Sequence, residues 1–386
     1  MTKFRKIKTM INRILKSRIT SSLFSGKVII IYGARQVGKT TLVKDMLTQY
    51  GEDGGYYNCD VLSVKSALSV AEPAKLKAYF GTKKIIVFDE AQVIPDIGKI
   101  LKIFVDELPQ IQVIATGSSS FEIANRTNEP LTGRAIRFTL FPLSLKEISN
   151  HFGLIGLGNS VERMMRMGAY PEVFSSPDAI SSVRLDEIAS NYLYKDLLMF
   201  ENIKRSEVLK NLLVSLALQI GSEVTYNELS NRLGINKITV QKYIDLLEQS
   251  FIIFRLYSFS RNLRNEITKS VKIYFFDLGI RNSLIQNFNP LDIRQDKGML
   301  WENFCVAERI KYLNNSGKKV NSYFWRTYDQ KEVDYVEEAG GKITGYEFKY
   351  SKDVKVKSVD LFKSTYDAEI NVVSMENYEE FLLGSG

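Results

Sequence analysis

Two groups of residues in this 386-residue chain have the types and spacing to do chemistry. The first lies in KVIIIYGARQVGKTTL, residues 27–42. Gly33 and Gly38 bracket four residues, and Lys39-Thr40 follows. The glycines permit a tight loop whose N–H groups converge, and a helix opening at its end adds its positive pole. Such a loop cradles phosphates. Gly33, Ala34, Arg35, Gln36, Val37, Gly38, Lys39, Thr40 and Thr41 would form it, with Lys39 on the β- and γ-phosphates and Thr40 on Mg²⁺. A buried-type strand before it and the helical TTLVKDML after it give the context the pattern needs. ATP and Mg²⁺ are the expected cofactors.

Two further stretches complete this group. KIIVFDEAQ is an apolar strand ending in Asp89-Glu90. Asp89 would bind Mg²⁺ through water, and Glu90 would orient and polarise an attacking water. IQVIATGSSS ends in small polar residues, with Ser118 positioned to sense the γ-phosphate.

The second group is EVDYVEEAGGKITGYEFK, residues 332–349. Glu347 and Lys349 are two apart on a strand, so both leave one face while Phe348 turns to a core. Asp334 lies on the preceding strand, and the helix before it contributes Glu302. Asp334, Glu347 and the Phe348 carbonyl would hold Mg²⁺ near a scissile phosphate, and Lys349 would position the attacking water. Lys352, Lys355 and Lys357 would track a backbone. The competing reading is a charged hairpin that cuts nothing.

The elements that must carry these groups follow from periodicity. Residues 27–140 alternate apolar runs (KVIIIY, GYYNC, KIIVF, IQVIAT, AIRFTL) with helical segments, which predicts an α/β sheet of mostly parallel strands. Residues 144–220 read as mainly helical. Between 223 and 250, Thr225 and Glu228 form a capping box, Gly234 a turn, and Asn236 caps a second helix. On that helix Ile238, Tyr243, Ile244 and Leu247 are expected to face inward, and Lys237, Thr239, Gln241 and Lys242 outward. This is a helix-turn-helix layout able to enter a DNA groove, and it also serves for protein contacts. FIIFRLYSF and SVKIYFFD follow as two strands joined through Arg261, Arg264 and Lys269. After Asn289-Pro290 come a helix (WENFCVAERIKYL) and strands near SYFWRT, EVDYV and ITGYEFK.

Composition narrows the classes. Net charge is +8, and the first 50 residues carry eleven Lys/Arg against Asp45 alone. Such asymmetry favours a polyanionic partner, and DNA is the expected one. Residues 3–18 read as a basic amphipathic helix, which fits DNA, an anionic membrane, or packing against the next domain. No apolar run reaches the roughly 18 residues of a membrane span, so a membrane partner is not expected. The N-terminus lacks the apolar core of a secretory signal. Two distant cysteines, Cys59 and Cys305, fit a reducing cytoplasm. The lone His151 excludes a histidine metal site and reads as a surface residue.

On the phosphate loop, the Asp-Glu pair and the third strand, residues ~20–220 resemble the AAA+ ATPases. The resemblance places an arginine finger at Arg134 in LTGR, which implies a homo-oligomer; a surface arginine capping a turn is the competing reading. It also implies a lid arginine, for which Arg163 and Arg166 both qualify. Ser118 stands where that family usually has asparagine. Residues 223–250 together with the FIIFRLYSF and SVKIYFFD strands resemble a winged-helix domain. Asp334, Glu347 and Lys349 resemble the PD-(D/E)XK nucleases, with valine where the family name has proline. FPLSLKEI, GAYPEVF, KIYFFDLG, GMLWENF and YEFK are together similar to a prokaryotic AAA+ group. Its C-terminal domain is of unknown function and restriction-endonuclease-like in fold. The implied division is a basic helix (1–20), a P-loop core (21–143), a helical lid (144–220), a winged helix (221–289) and a PD-(D/E)XK-like domain (290–386). Two functions are consistent with it: an ATPase acting on DNA that also cuts it with Mg²⁺, or a non-cleaving nucleotide switch with a C-terminal docking module.

Overall fold

The computed structural model describes residues 10–118, 131–192, 206–259, 271–327, 331–351 and 359–384. A short helix, α1 (Leu15–Ser21), leads into an α/β unit. This unit runs β1 (Val28–Tyr32), α2 (Lys39–Leu47), β2 (Gly54–Asn58), α3 (Leu62–Leu68), α4 (Pro73–Phe80), β3 (Ile85–Asp89), α5 (Ile97–Glu107), β4 (Gln112–Gly117) and β5 (Ala135–Thr139). The strands lie in the order β2-β3-β4-β1-β5, all parallel. Strand period 2 explains the two-sided burial. Ile29, Ile31, Ile85 and Val87 feed one core, while Val28, Ile30, Ile86 and Phe88 feed the other. The Gly33–Thr40 loop and Asp89 sit at the carboxyl ends of β1 and β3, with β4 between them, the end at which open α/β sheets bind ligands.

Helices α6 (Leu145–Phe152), α7 (Leu157–Met167), α8 (Pro171–Phe174) and α9 (Asp178–Glu187) follow. Ser144 and Glu147 close a full capping box on α6. Then come α10 (Ser206–Leu218), β6 (Glu223–Val224), α11 (Tyr226–Leu233), α12 (Lys237–Gln249), β7 (Ile253–Ser258) and β8 (Val271–Phe275). The chain ends with α13 (Leu278–Leu284), α14 (Lys297–Ser316), β9 (Asn321–Arg326), β10 (Glu332–Ala339), β11 (Lys342–Phe348), α15 (Val359–Tyr366), β12 (Glu369–Val373) and α16 (Tyr378–Leu383).

A second sheet runs β12-β11-β10-β9-β7-β8-β6. It crosses the division expected at 289/290: β7 pairs in parallel with β9 through Tyr257–Tyr323 and Ser258–Phe324. One apolar core is continuous from Leu15 to Leu383.

Three local expectations are corrected. The basic helix begins only at Leu15 among the described residues, because Arg13 and the Ile14 N–H are drawn off to Glu147. Thr225 caps α11 by accepting the Glu228 N–H, but Glu228 accepts from Gln219, so the reciprocal half of that box is missing. Ile238 is 79% exposed; Val240, with Tyr243, Ile244 and Leu247, forms the inward face of α12.

Candidate nucleotide site

Gly33 allows the loop its close approach. A Cβ there would stand 2.2 Å from the Leu140 carbonyl oxygen, at a φ of +154°. The Lys39 side chain is buried and donates to the carbonyls of Gly33 (2.7 Å) and Ala34 (2.9 Å). Its ammonium is thus held across the loop mouth. Thr40 Oγ1, at the first turn of α2, donates to Asp89 Oδ2 at 2.8 Å. The Tyr56 hydroxyl donates to the same oxygen at 2.5 Å, and Thr116 Oγ1 donates to Oδ1. Burial first, then Asp89, pushes the Tyr56 hydroxyl above its usual range, so it stays a donor. Glu90 adopts φ +56°, its side chain accepts from Gln92, and its N–H donates to Thr116 Oγ1. Ser118 directly follows β4 and is 2% exposed.

Of these residues, Lys39, Thr40 and Glu90 line a cavity of about 570 Å³. Gln36, Gly38 and Thr41 line it beside them. The N-terminal segment (Met10, Ile11, Arg13) and the α8 region (Pro171, Glu172, Ser175) complete the lining with others. The volume suits a nucleotide, since small-ligand pockets run about 300–1,000 Å³. Thr40 and Asp89 share a hydrogen bond at the loop's edge, and that donor set fits a hard divalent cation.

The C-terminal acids also converge, but on lysines. Lys349 Nζ lies 2.9 Å from Glu347 Oε2 and 3.6 Å from Asp334 Oδ2. Asp334 Oδ2 also accepts the Phe348 N–H at 2.8 Å. Glu302 accepts from Lys272 Nζ (2.9 Å) and from the Tyr274 hydroxyl (2.7 Å), both on β8. Lys272 also pairs with Glu332. Burial alone would depress the Lys272 ammonium, yet Glu302, Tyr274, Asp334 and Glu332 hold it well above its usual range. Among the described residues, no three acid, thiol or imidazole groups are gathered as a metal ion requires. Asp334 and Glu347 thus share Lys349, while Glu302 and Glu332 share Lys272, which sets four carboxylates against two ammonium groups.

Comparison with known proteins divides the chain in three. Residues 25–149 match the family model of the AAA domain. Residues 158–291 and 297–384 match two domains of unknown function, DUF8612 and DUF4143. An uncharacterized protein of Mycobacterium tuberculosis is 25% identical over 337 residues, 86% of this chain and 72% of its own. Uncharacterized proteins of Methanocaldococcus jannaschii and Haemophilus influenzae are 24% and 22% identical, each over 92% of this chain and over 86% and 88% of theirs. Among solved structures, Cdc6p of Pyrobaculum aerophilum is 12% identical, covers 75% of this chain and 92% of its own, and has a TM-score of 0.29. Pif1 helicase of Candida albicans is 14% identical over 47% of this chain and 48% of its own, with a TM-score of 0.27.

Within the segment that matches the AAA domain model, Arg134 precedes β5, at the amino end of a sheet whose carboxyl end carries the Gly33–Thr40 loop. It donates to Asp106 Oδ1 of α5 at 2.7 Å and is about one-third exposed. Arg163 and Arg166, the two candidates for a lid arginine, staple the helices after residue 149. Arg163 bonds the Phe174 and Val173 carbonyls and Asp178; Arg166 bonds Asp178 and the Phe288 carbonyl. Neither lines the cavity. On α12, Lys237, Gln241 and Lys242 are exposed and Thr239 half-buried. Arg261, Arg264, Lys269, Lys352, Lys355 and Lys357 lie outside the described residues. No described helix is long and apolar enough to cross a membrane.

Proposed function

We propose that the chain is an ATP-hydrolysing AAA+ protein that acts on DNA, with a C-terminal unit that docks rather than cuts. Lys39 and Thr40 on the lining of a nucleotide-sized cavity, with Asp89 accepting the Thr40 hydroxyl behind it, carry the ATPase reading. When bound, Mg²⁺ would neutralise charge developing on the phosphoryl group. Thr40 and Asp89 would hold it, and Lys39 would contact the β- and γ-phosphates. Glu90 would orient the attacking water, and Ser118 would face the γ-phosphate. Arg134, released from Asp106, would reach a neighbouring subunit's nucleotide in a homo-oligomer.

The DNA part rests on the outward face of α12, where Lys237, Gln241 and Lys242 stand exposed beside Thr239. Docking rather than cutting rests on Lys272 and Lys349 among the C-terminal acids. Cleavage, the competing activity, draws on the convergence of Glu302, Asp334, Glu347 and Lys349.

The test is ATP hydrolysis by the full chain and by Lys39→Ala, each with and without duplex DNA. Wild type should turn over ATP faster with DNA, and Lys39→Ala should fall to background. Wild type with no affinity for Mg-nucleotide by calorimetry would overturn the reading. Supercoiled plasmid should stay intact with Mg²⁺ or Mn²⁺; nicking that Lys349→Ala abolishes would replace docking with cleavage.

A further inference from the structure

The cavity receives its second cation from an unexpected direction. Among the described residues lining it, Lys39 and Arg13 are the cationic ones. Arg13 belongs to the segment before α1, ahead of the AAA domain, and its side chain is 9% exposed. It is fixed by three bonds: Nε to Glu147 Oε1 (3.0 Å), Nη1 to the Val37 carbonyl (2.7 Å) and Nη2 to the Phe141 carbonyl (2.6 Å). A guanidinium carries five N–H groups, so each terminal nitrogen keeps an N–H that these three bonds do not use. Its Nη1 lies 3.7 Å from where a Cβ on Gly38 would stand, at the opening of α2. Both arginines that could have come from the lid are committed elsewhere, to Asp178 and to carbonyls outside the cavity.

We propose that Arg13 is the second phosphate-binding cation of this site, serving the α- and β-phosphates. The proposal rests on the nucleotide reading above. In a P-loop the backbone N–H groups hold the α/β-phosphates while the lysine reaches β and γ. Arg13 stands beside Gly38, on the backbone side of that division, so it contributes alike to a diphosphate and a triphosphate. A charge-assisted bond to phosphate is stronger than a neutral one, and burial keeps salt from screening it. The same guanidinium spans the loop at Val37 and the root of the following helices at Phe141 and Glu147. Phosphate binding therefore pulls on the element that carries α6.

Calorimetry on the full chain with Mg-ADP and with a Mg-bound non-hydrolysable ATP analogue tests this. Arg13→Gln should weaken both about tenfold. Arg13→Lys keeps a cation beside Gly38 and should retain more of both affinities than Arg13→Gln. Arg13→Met/Glu147→Met removes both partners without orphaning a buried acid; it should weaken both ligands like Arg13→Gln, even where the single variant is unstable. Unchanged affinities in Arg13→Gln and the double variant would overturn the proposal. An equal loss in Arg13→Lys and Arg13→Gln would do so too, by reducing Arg13 to a strut. Loss confined to the triphosphate would overturn the α/β assignment. If wild type binds no nucleotide, the ATPase reading itself fails, which is a separate result.

Discussion

Asp89 receives three hydroxyl protons, from Thr40, Tyr56 and Thr116. Only Thr40 is legible as its partner from the phosphate-loop pattern. Tyr56 belongs to β2, whose register sets Asn58 opposite Asp89, so its hydroxyl must reach forward along the sheet. Sequence offers no hint that β2 lies beside β3. Two donors on one oxygen hold that carboxylate toward the loop. Tyr56→Phe should therefore raise the Mg²⁺ concentration for half-maximal ATP hydrolysis by about threefold to tenfold, since a bond to a charged group contributes about 1.5–3 kcal/mol when fully lost and less when partly replaced by water. Mg²⁺-free nucleotide affinity should not change. Superimposable Mg²⁺ titrations of the two proteins would remove Tyr56 from the site. Lys39 and the Asp89-Glu90 pair were readable because their chemistry is written in local spacing; Arg13 was not, because its target is a fold-dependent carbonyl.

At the scale of elements, GAYPEVF and KIYFFDLG turn out to be one joint. Asp277 opens α13 by accepting the Ile280 N–H at 3.2 Å, and its other oxygen accepts the Ala169 N–H at 2.7 Å. Gly168, at φ +73°, lies so close that a Cβ would stand 2.0 Å from Asp277 Oδ1. Gly279 packs as tightly, with a Cβ position 2.2 Å from the Met167 carbonyl oxygen. Gly168→Ala should destabilise the protein by about 2–4 kcal/mol through strain and overpacking together. Chemical denaturation measures it, and a loss under about 0.5 kcal/mol would mean the joint gives way freely. The α12 correction belongs here as well. Residues 240, 243, 244 and 247 keep the helical period, whereas Ile238 falls outside it. An apolar residue at the first turn was misleading because side-chain type does not set the phase of a helix.

Across the whole molecule, the three matched segments are keyed to one another by buried polar groups. Glu308 of α14 accepts the Leu145 N–H at 2.6 Å and pairs with Lys311, which also reaches the Leu143 carbonyl. Arg18 donates to the Asn314 carbonyl at 2.5 Å. Asp296, in the short stretch between the second and third segments, binds the buried Arg281 and Arg294, each at 2.7 Å. Burial opposes the charge of Asp296, but the two guanidiniums outweigh it and hold the carboxyl at about 2. Its folded value lies below its unfolded one of 3.8, so this stabilisation is complete above about pH 4 and is lost as pH falls toward 2. Asp296→Asn should cost about 3 kcal/mol at pH 7 by leaving two buried cations uncompensated. The gap between variant and wild type in denaturant melts should narrow below pH 4; a gap independent of pH would show that the carboxylate's charge is not the cause.

The chain's order of residues was enough to locate the phosphate loop, the Asp-Glu strand and the alternation of strand and helix behind an α/β sheet, since each depends on neighbours within one element. It was also enough to single out Glu302, Asp334, Glu347 and Lys349. Only the tertiary structure decided what those four face. β8 brings Lys272 and Tyr274 against Glu302 across a sheet that joins residues 50 and more apart. The same holds for the second cation of the nucleotide cavity, which arrives from a segment ahead of the domain it serves. Periodicity and motif spacing act over a few residues, whereas the partner of a buried charge is chosen by whichever strand or helix the completed core sets beside it.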